Sequence, residues 1–149
     1  MSIKQQLQAD LTEALKAKDS LKVTTLRSVI GAIQTQEKSG KTAVEFDDNQ
    51  ILELLSKESK KRLDTSEEFH KLGYHERAET ESAESAIIQN YLPEAATYDE
   101  VVTVASSVMS EYDAPTQRDM GSIIKAVKEH FGASADGKTI SDVVRSMIG

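Results

Sequence analysis

Residues 132–139, Gly132-Ala-Ser-Ala-Asp-Gly137-Lys138-Thr139, match the phosphate-binding pattern G-x-x-x-x-G-K-[ST] letter for letter. In that loop, backbone N–H groups curl around phosphates between a buried strand and a long helix. Here the lead-in, Ala126-Val127-Lys128, belongs to a helical pattern, and the ten residues after Thr139 leave no room for a strand bearing a magnesium-binding Asp. The better reading is a turn between two helices, with glycine at a strained angle and Thr139 as the cap of the next helix.

The remaining candidates are weaker. His70, His75 and His130 lack the H-E-x-x-H type of spacing that a metal site needs, so they read as surface histidines and no metal is expected. Glu76, Glu79, Glu81 and Glu84 read as a solvated helix face, because nothing beside them raises a carboxylate's pKa or supplies a nucleophile. Lys57, Lys60 and Lys61 share one helix face at i, i+3 and i+4, a face that can meet phosphates or a partner. Glu53–Lys57, Glu58–Arg62 and Glu67–Lys71 are equally well-spaced ordinary helix pairs. Arg62 is different. It falls on the extended apolar face of its helix, where a guanidinium needs carboxylate partners, with the acid-rich fourth helix as their source.

Composition bounds what these residues can do. The 149 residues include 18 Lys and Arg against 25 Asp and Glu, a net charge of −7, which excludes a polycation that coats nucleic acid by charge alone. Residues 1–92 carry 13 basic and 16 acidic side chains and residues 93–149 carry 5 and 9, so neither part is a basic domain. With aromatics at 5%, stacking platforms for bases are missing, and any RNA contact has to be local and salt-sensitive. The absence of cysteine excludes disulfides, thiolate metal sites and a cysteine nucleophile. The opening MSIKQQLQADL lacks the apolar core of a signal peptide, and no apolar run reaches the ~18 residues that cross a bilayer. These features predict a cytoplasmic protein with no membrane partner.

The elements that must hold these residues are helices. Ser2-x-x-Gln5 and Asp47-x-x-Gln50 have capping-box spacing, and Phe46 and Ile51 stand where a hydrophobic staple closes. Ile3, Leu7, Leu11 and Leu15 form a stripe behind the first box, and Asp19 or Ser20 caps a second helix bearing Val23, Leu26, Val29, Ile30 and Ile33. A third helix follows Asp47, Gly73 interrupts it, and a fourth runs from about His75 to Tyr91, stopped by Leu92-Pro93. Three short helices then open at Thr97-x-x-Glu100, Thr116-x-x-Asp119 and Thr139-x-x-Asp142. Their stripes are Val101, Ala105, Val108 and Tyr112, then Met120, Ile123, Ile124 and Val127, then Ile140, Val143, Val144 and Met147. Gly132 sits where a left-handed C-cap wants it. The predicted fold is all-α, a four-helix domain over 1–93 and a three-helix domain over 94–149.

The ordered motifs resemble the YqeY family, free-standing relatives of the tail domain of GatB, the B subunit of the amidotransferase that converts misacylated Glu-tRNA or Asp-tRNA to the amide form. The matching stretches are Leu26-Arg27, Lys57-Glu-Ser-Lys-Lys-Arg62 with Ser66 and Phe69, Glu84, Tyr91-Leu-Pro93, Asp119-Met-Gly121 and Ala135-Asp-Gly-Lys138. The resemblance implies a four-helix domain followed by a three-helix domain, and an association with glutamine-dependent carbon–nitrogen ligation on tRNA. It implies a tRNA-associated accessory module without catalytic residues or cofactors, since the amidase and phosphorylating parts of the larger enzyme have no counterpart here. The expected partner is tRNA or an amidotransferase complex, and the expected state is a monomer. Gly121, Lys125, Lys128, Gly137, Lys138 and Arg145 are the candidate RNA contacts, and Lys57, Lys60, Lys61 and Arg62 the candidate interaction face. At Ser122 and Ser134 the chain departs from the family, which usually places basic residues there. The competing reading is a helical protein-interaction adaptor with no RNA role. An enzyme acting on glutamine or a nucleotide is a third.

Overall fold

The computed structural model describes residues 1–148. They form seven α-helices: α1 (Ile3–Ala17), α2 (Ser20–Glu37), α3 (Asp48–Lys71), α4 (His75–Gln89), α5 (Tyr98–Met109), α6 (Met120–Phe131) and α7 (Gly137–Ile148). A short 3₁₀ turn, Gly132–Ser134, joins α6 to α7, and no strand occurs among the described residues. The all-α expectation holds, and so does the helix-to-helix reading of the apparent phosphate loop. The chain divides into two compact units, Met1–Leu92 with α1 to α4, and the part from Pro93 onward with α5 to α7.

The first unit is built from its caps outward. The Gln5 N–H donates to Ser2 Oγ and the Ser2 N–H to Gln5 Oε1, closing the capping box of α1. Asp47 and Gln50 close the same box on α3, with Phe46 and Ile51 in one apolar cluster around it. Asp19 caps α2 through the Lys22 N–H. Gly73, at φ +84°, turns α3 into α4: its N–H donates to the His70 carbonyl, and the Tyr74 N–H donates to the Phe69 carbonyl. These two bonds make a Schellman motif, completed by the Phe69 and Tyr74 rings meeting edge to face at 6.3 Å. The core gathers Leu7, Leu26, Val29, Ile33, Ile51, Leu55 and Ile88. Leu15 stays largely exposed and Ala14 takes the buried position instead. A four-residue step advances ~400° around the helix, so a strict i+4 stripe drifts off the core face within three steps.

In the second unit Val101, Ala105, Met109, Ile123, Val127, Ile140, Val143 and Val144 form the core. Thr97 caps α5 as its spacing predicts, through the Glu100 N–H. The other two openings differ. Thr116 does not start α6; the Asp119 carboxylate accepts from the Thr116 N–H, closing a turn, and the helix begins at Met120. Likewise Thr139 is not a cap, because α7 already begins at Gly137, and the Lys138 N–H donates to Asp136 Oδ1. A T-x-x-D box and an Asp-closed turn share the same spacing, so only the backbone path separates them. Gly132 has a positive φ (+57°), but its ψ of −128° lies outside the left-handed helical region. It closes α6 in a different glycine conformation from the left-handed cap expected, and Gly137 has no positive φ. Tyr112 lies beyond the end of α5 and packs on the core from the following turn, while Met147 is partly exposed.

Candidate functional site

The most unusual side chain of the first unit is Arg62. Only 9% of it is exposed, because α3 continues its core-facing stripe through this position against α4. Three residues hold the guanidinium: Nε donates to Glu84 Oε2 at 3.1 Å, Nη1 to Glu58 Oε2 at 2.7 Å and to the Glu58 carbonyl at 3.4 Å, and Nη2 to Ser28 Oγ at 2.9 Å. α4 thus supplies one of the carboxylates that the apolar surroundings demand. Burial works against the charged guanidinium, and the bonds and charges of Glu58 and Glu84 outweigh it, so the proton is held more tightly than usual. A polar pocket of about 280 Å³ opens beside this cluster, bordered also by Lys61, Thr65 and Glu81.

The seam that brings Glu84 to Arg62 is absent from the sequence reading. Ser59, Ser66, Ala78 and Ser85 are all buried where α3 and α4 run antiparallel. Ser59 and Ser85 share a hydrogen bond between hydroxyls at 2.8 Å, and Ser85 also donates to the Ser59 carbonyl at 3.0 Å. The Ser66 hydroxyl donates to the Ala78 carbonyl at 2.7 Å. The signal that could have found it is small residues seven apart on both helices (59 and 66, 78 and 85), which lets two backbones approach closely.

The other end of the unit is tied by two polar links. The Tyr91 hydroxyl, part of the Tyr-Leu-Pro stretch, donates to Asp10 Oδ2, and burial followed by that bond raises the tyrosine pKa above its ordinary range. Glu37 accepts from Lys4 Nζ and from the Phe46 N–H, joining α1, α2 and the segment before α3. The Lys4 bond, then the Phe46 bond, hold the Glu37 carboxyl below its usual 4.5. A lowered carboxyl pKa stabilises the fold above the unfolded-state value and stops doing so as pH falls through the folded-state value. The stability difference between the wild type and Glu37→Gln is therefore expected to be largest above about pH 5 and to vanish well below pH 4.5. Urea titrations at a series of pH values measure it. A difference independent of pH would refute the link.

The structure separates Arg62 from the lysines grouped with it in the sequence. Lys57, Lys60 and Lys61 are exposed, and Lys57 makes no ion pair with Glu53 among the described residues. In the second unit, Gly121, Lys125 and Lys128 occupy successive exposed positions of α6 at i, i+4 and i+7, one face of the helix. A Cβ on Gly121 would meet open space, so packing does not demand glycine there. Lys128 Nζ reaches over the start of α7, 4.0 Å from where a Cβ on Gly137 would stand. Lys138 and Arg145 follow on α7 seven residues apart, again on one exposed face, with Arg145 3.6 Å from Asp142. His70 and His75 face one another with Nδ1 atoms 2.9 Å apart, and His130 packs its ring edge-on to Phe131. No group of three metal-ligating side chains comes together among the described residues.

An all-helical chain of this organisation, carrying the Lys57–Arg62, Tyr91–Pro93, Asp119–Gly121 and Ala135–Lys138 stretches, belongs to the YqeY family: the model described as "Yqey-like protein" matches residues 4–148. Among curated relatives, "Altered inheritance of mitochondria protein 41, mitochondrial" from Clavispora lusitaniae is 31% identical over 145 residues, covering 95% of this chain and 82% of that protein. The protein of the same name from Pyrenophora tritici-repentis is 26% identical, covering 96% and 79%. The one from Lachancea thermotolerans is 39% identical over 88 residues, 58% of this chain and 46% of its own. These relatives are named as mitochondrial, which overturns the cytoplasmic expectation. The absence of cysteine bears on disulfides alone and does not separate one reducing compartment from another.

Proposed function

We propose that this YqeY-family chain is a non-catalytic binding module whose second unit holds the backbone of a tRNA, in the manner of an accessory tail rather than an amidotransferase. The observation that supports this reading is the α6 face on which Gly121, Lys125 and Lys128 line up, with the Lys128 ammonium laid over the start of α7 beside Gly137 and Lys138. Lys125, Lys128 and Lys138 make no side-chain ion pair among the described residues, so their charges are available to phosphates. Gly121 leaves the first turn of α6 bare, where backbone N–H groups and the helix dipole favour an anion. Contacts of this kind orient a nucleic acid without reading its bases.

Filter binding of total tRNA across a salt series tests the proposal. Affinity is expected to fall as salt rises. Lys125→Glu with Lys128→Glu is expected to weaken binding about tenfold or more at low salt, and to flatten the slope by roughly one unit for each phosphate no longer neutralised. No binding at about 50 mM salt, or binding with no salt slope, would refute the RNA reading.

A further inference from the structure

The first unit carries a second surface, unrelated to the α6 and α7 face. Between α2 and α3 lies an open groove of about 470 Å³ with Ala32, Phe46 and Leu54 in its lining. The 280 Å³ pocket beside Arg62 continues along the same helix, and Glu58 lines both. From Leu54 to Arg62 is eight residues of α3, or about 12 Å. The two cavities adjoin at Glu58 and form one cleft. The first sets Ala32, Phe46 and Leu54 among polar and charged side chains, the second is wholly polar, and two turns of helix separate Leu54 from Arg62.

We propose that this cleft docks a basic amphipathic helix of a partner protein, an aliphatic side chain entering between Phe46 and Leu54 and a Lys or Arg entering beside Arg62. Charge selects a cation. Glu53, Glu58, Glu81 and Glu84 border the two cavities against Lys57, Lys61 and Arg62, leaving one net negative charge. Arg62 is buried and already holds Oε2 of both Glu58 and Glu84. Oε1 of each carries no hydrogen bond among the described residues, and Glu81 is bonded to nothing there. A cationic side chain entering the pocket meets these free acceptors, and a carboxylate entering it meets three others. Ala32, Phe46 and Leu54 supply the burial that makes a helix-in-groove contact hold. An aliphatic pair one turn apart, followed seven or eight residues later by Lys or Arg, matches the roughly 12 Å between Leu54 and Arg62.

Selection from a display library of helix-forming peptides, about 16 residues long with one aliphatic pair fixed and the rest random, tests this on the full chain. Enriched peptides are expected to carry Lys or Arg seven or eight residues beyond the pair. Replacing that residue by Glu is expected to weaken binding about tenfold, read by fluorescence anisotropy. Thr35→Arg in the first cavity and Glu81→Lys in the second are each expected to weaken it by a similar factor. Thr35 is exposed and Glu81 has no hydrogen-bond or ion-pair partner among the described residues, so neither change disturbs the core, and unchanged amide NMR spectra away from the cleft verify that. Lys125→Glu, in the other unit, is expected to leave peptide binding intact. No enrichment, enrichment of acidic peptides, or binding indifferent to both cleft variants would each overturn the proposal, and none of these results bears on tRNA.

Discussion

Arg62→Met is expected to destabilise the four-helix unit by about 3 kcal/mol, the scale for removing one partner of a buried ion pair. The cost does not come from reduced apolar burial, since methionine covers much of the same surface. It comes from Glu58 and Glu84, whose side chains are only 23% and 16% exposed and which would remain charged with no cation between them. The same logic makes the change reversible in part. Adding Glu84→Gln to Arg62→Met removes the more buried of the two stranded charges and is expected to recover at least half of the stability difference. Urea unfolding followed by far-ultraviolet circular dichroism gives both values. A double variant no more stable than Arg62→Met alone would show that the cluster contributes through packing instead.

Ser85→Leu is expected to cost about as much, roughly 3 kcal/mol or more, for the opposite reason. Ser85 has no exposed surface, and its Oγ sits 2.8 Å from Ser59 Oγ and 3.0 Å from the Ser59 carbonyl. The bulkier leucine side chain has no space between α3 and α4 unless the helices move apart, and moving them carries Glu84 away from Arg62. Ser85→Ala separates the two effects. It keeps the close approach and removes the hydroxyl hydrogen bonds, at an expected ~1 kcal/mol, while Ser59→Ala added to it costs little more because both hydroxyls are then gone together. Equal destabilisation by the alanine and leucine variants would mean that hydrogen bonding, and not close approach, holds the seam.

These two sites differ in how legible they are in the sequence. Arg62 announces itself, because a guanidinium on a face otherwise continuing an apolar stripe has to find carboxylates, and Glu84 lies in the next helix. The serine seam does not, because serine on a helix ordinarily reads as surface, and its meaning here depends on a second helix placing serine or alanine opposite it. The T-x-x-D openings at Thr116 and Thr139 mislead for a related reason: the same side-chain spacing closes a turn or caps a helix, according to a path the chain takes for other reasons.

Local chemistry in the chain was enough to determine the helices, the boxes at Ser2 and Asp47, the need for a turn at Gly73 and the emptiness of the phosphate-loop match. Each rests on residues within a few positions of one another. Tertiary structure alone decided that Glu58, Glu84 and Ser28 meet on one guanidinium, that Lys57 and Lys61 border cavities while Arg62 is buried, and that Lys128 lies over the start of α7. Those meetings join side chains brought together from different helices or different turns of one helix, so their geometry exists only once helices pack, and packing is set by core shape and close-approach seams that no short motif records.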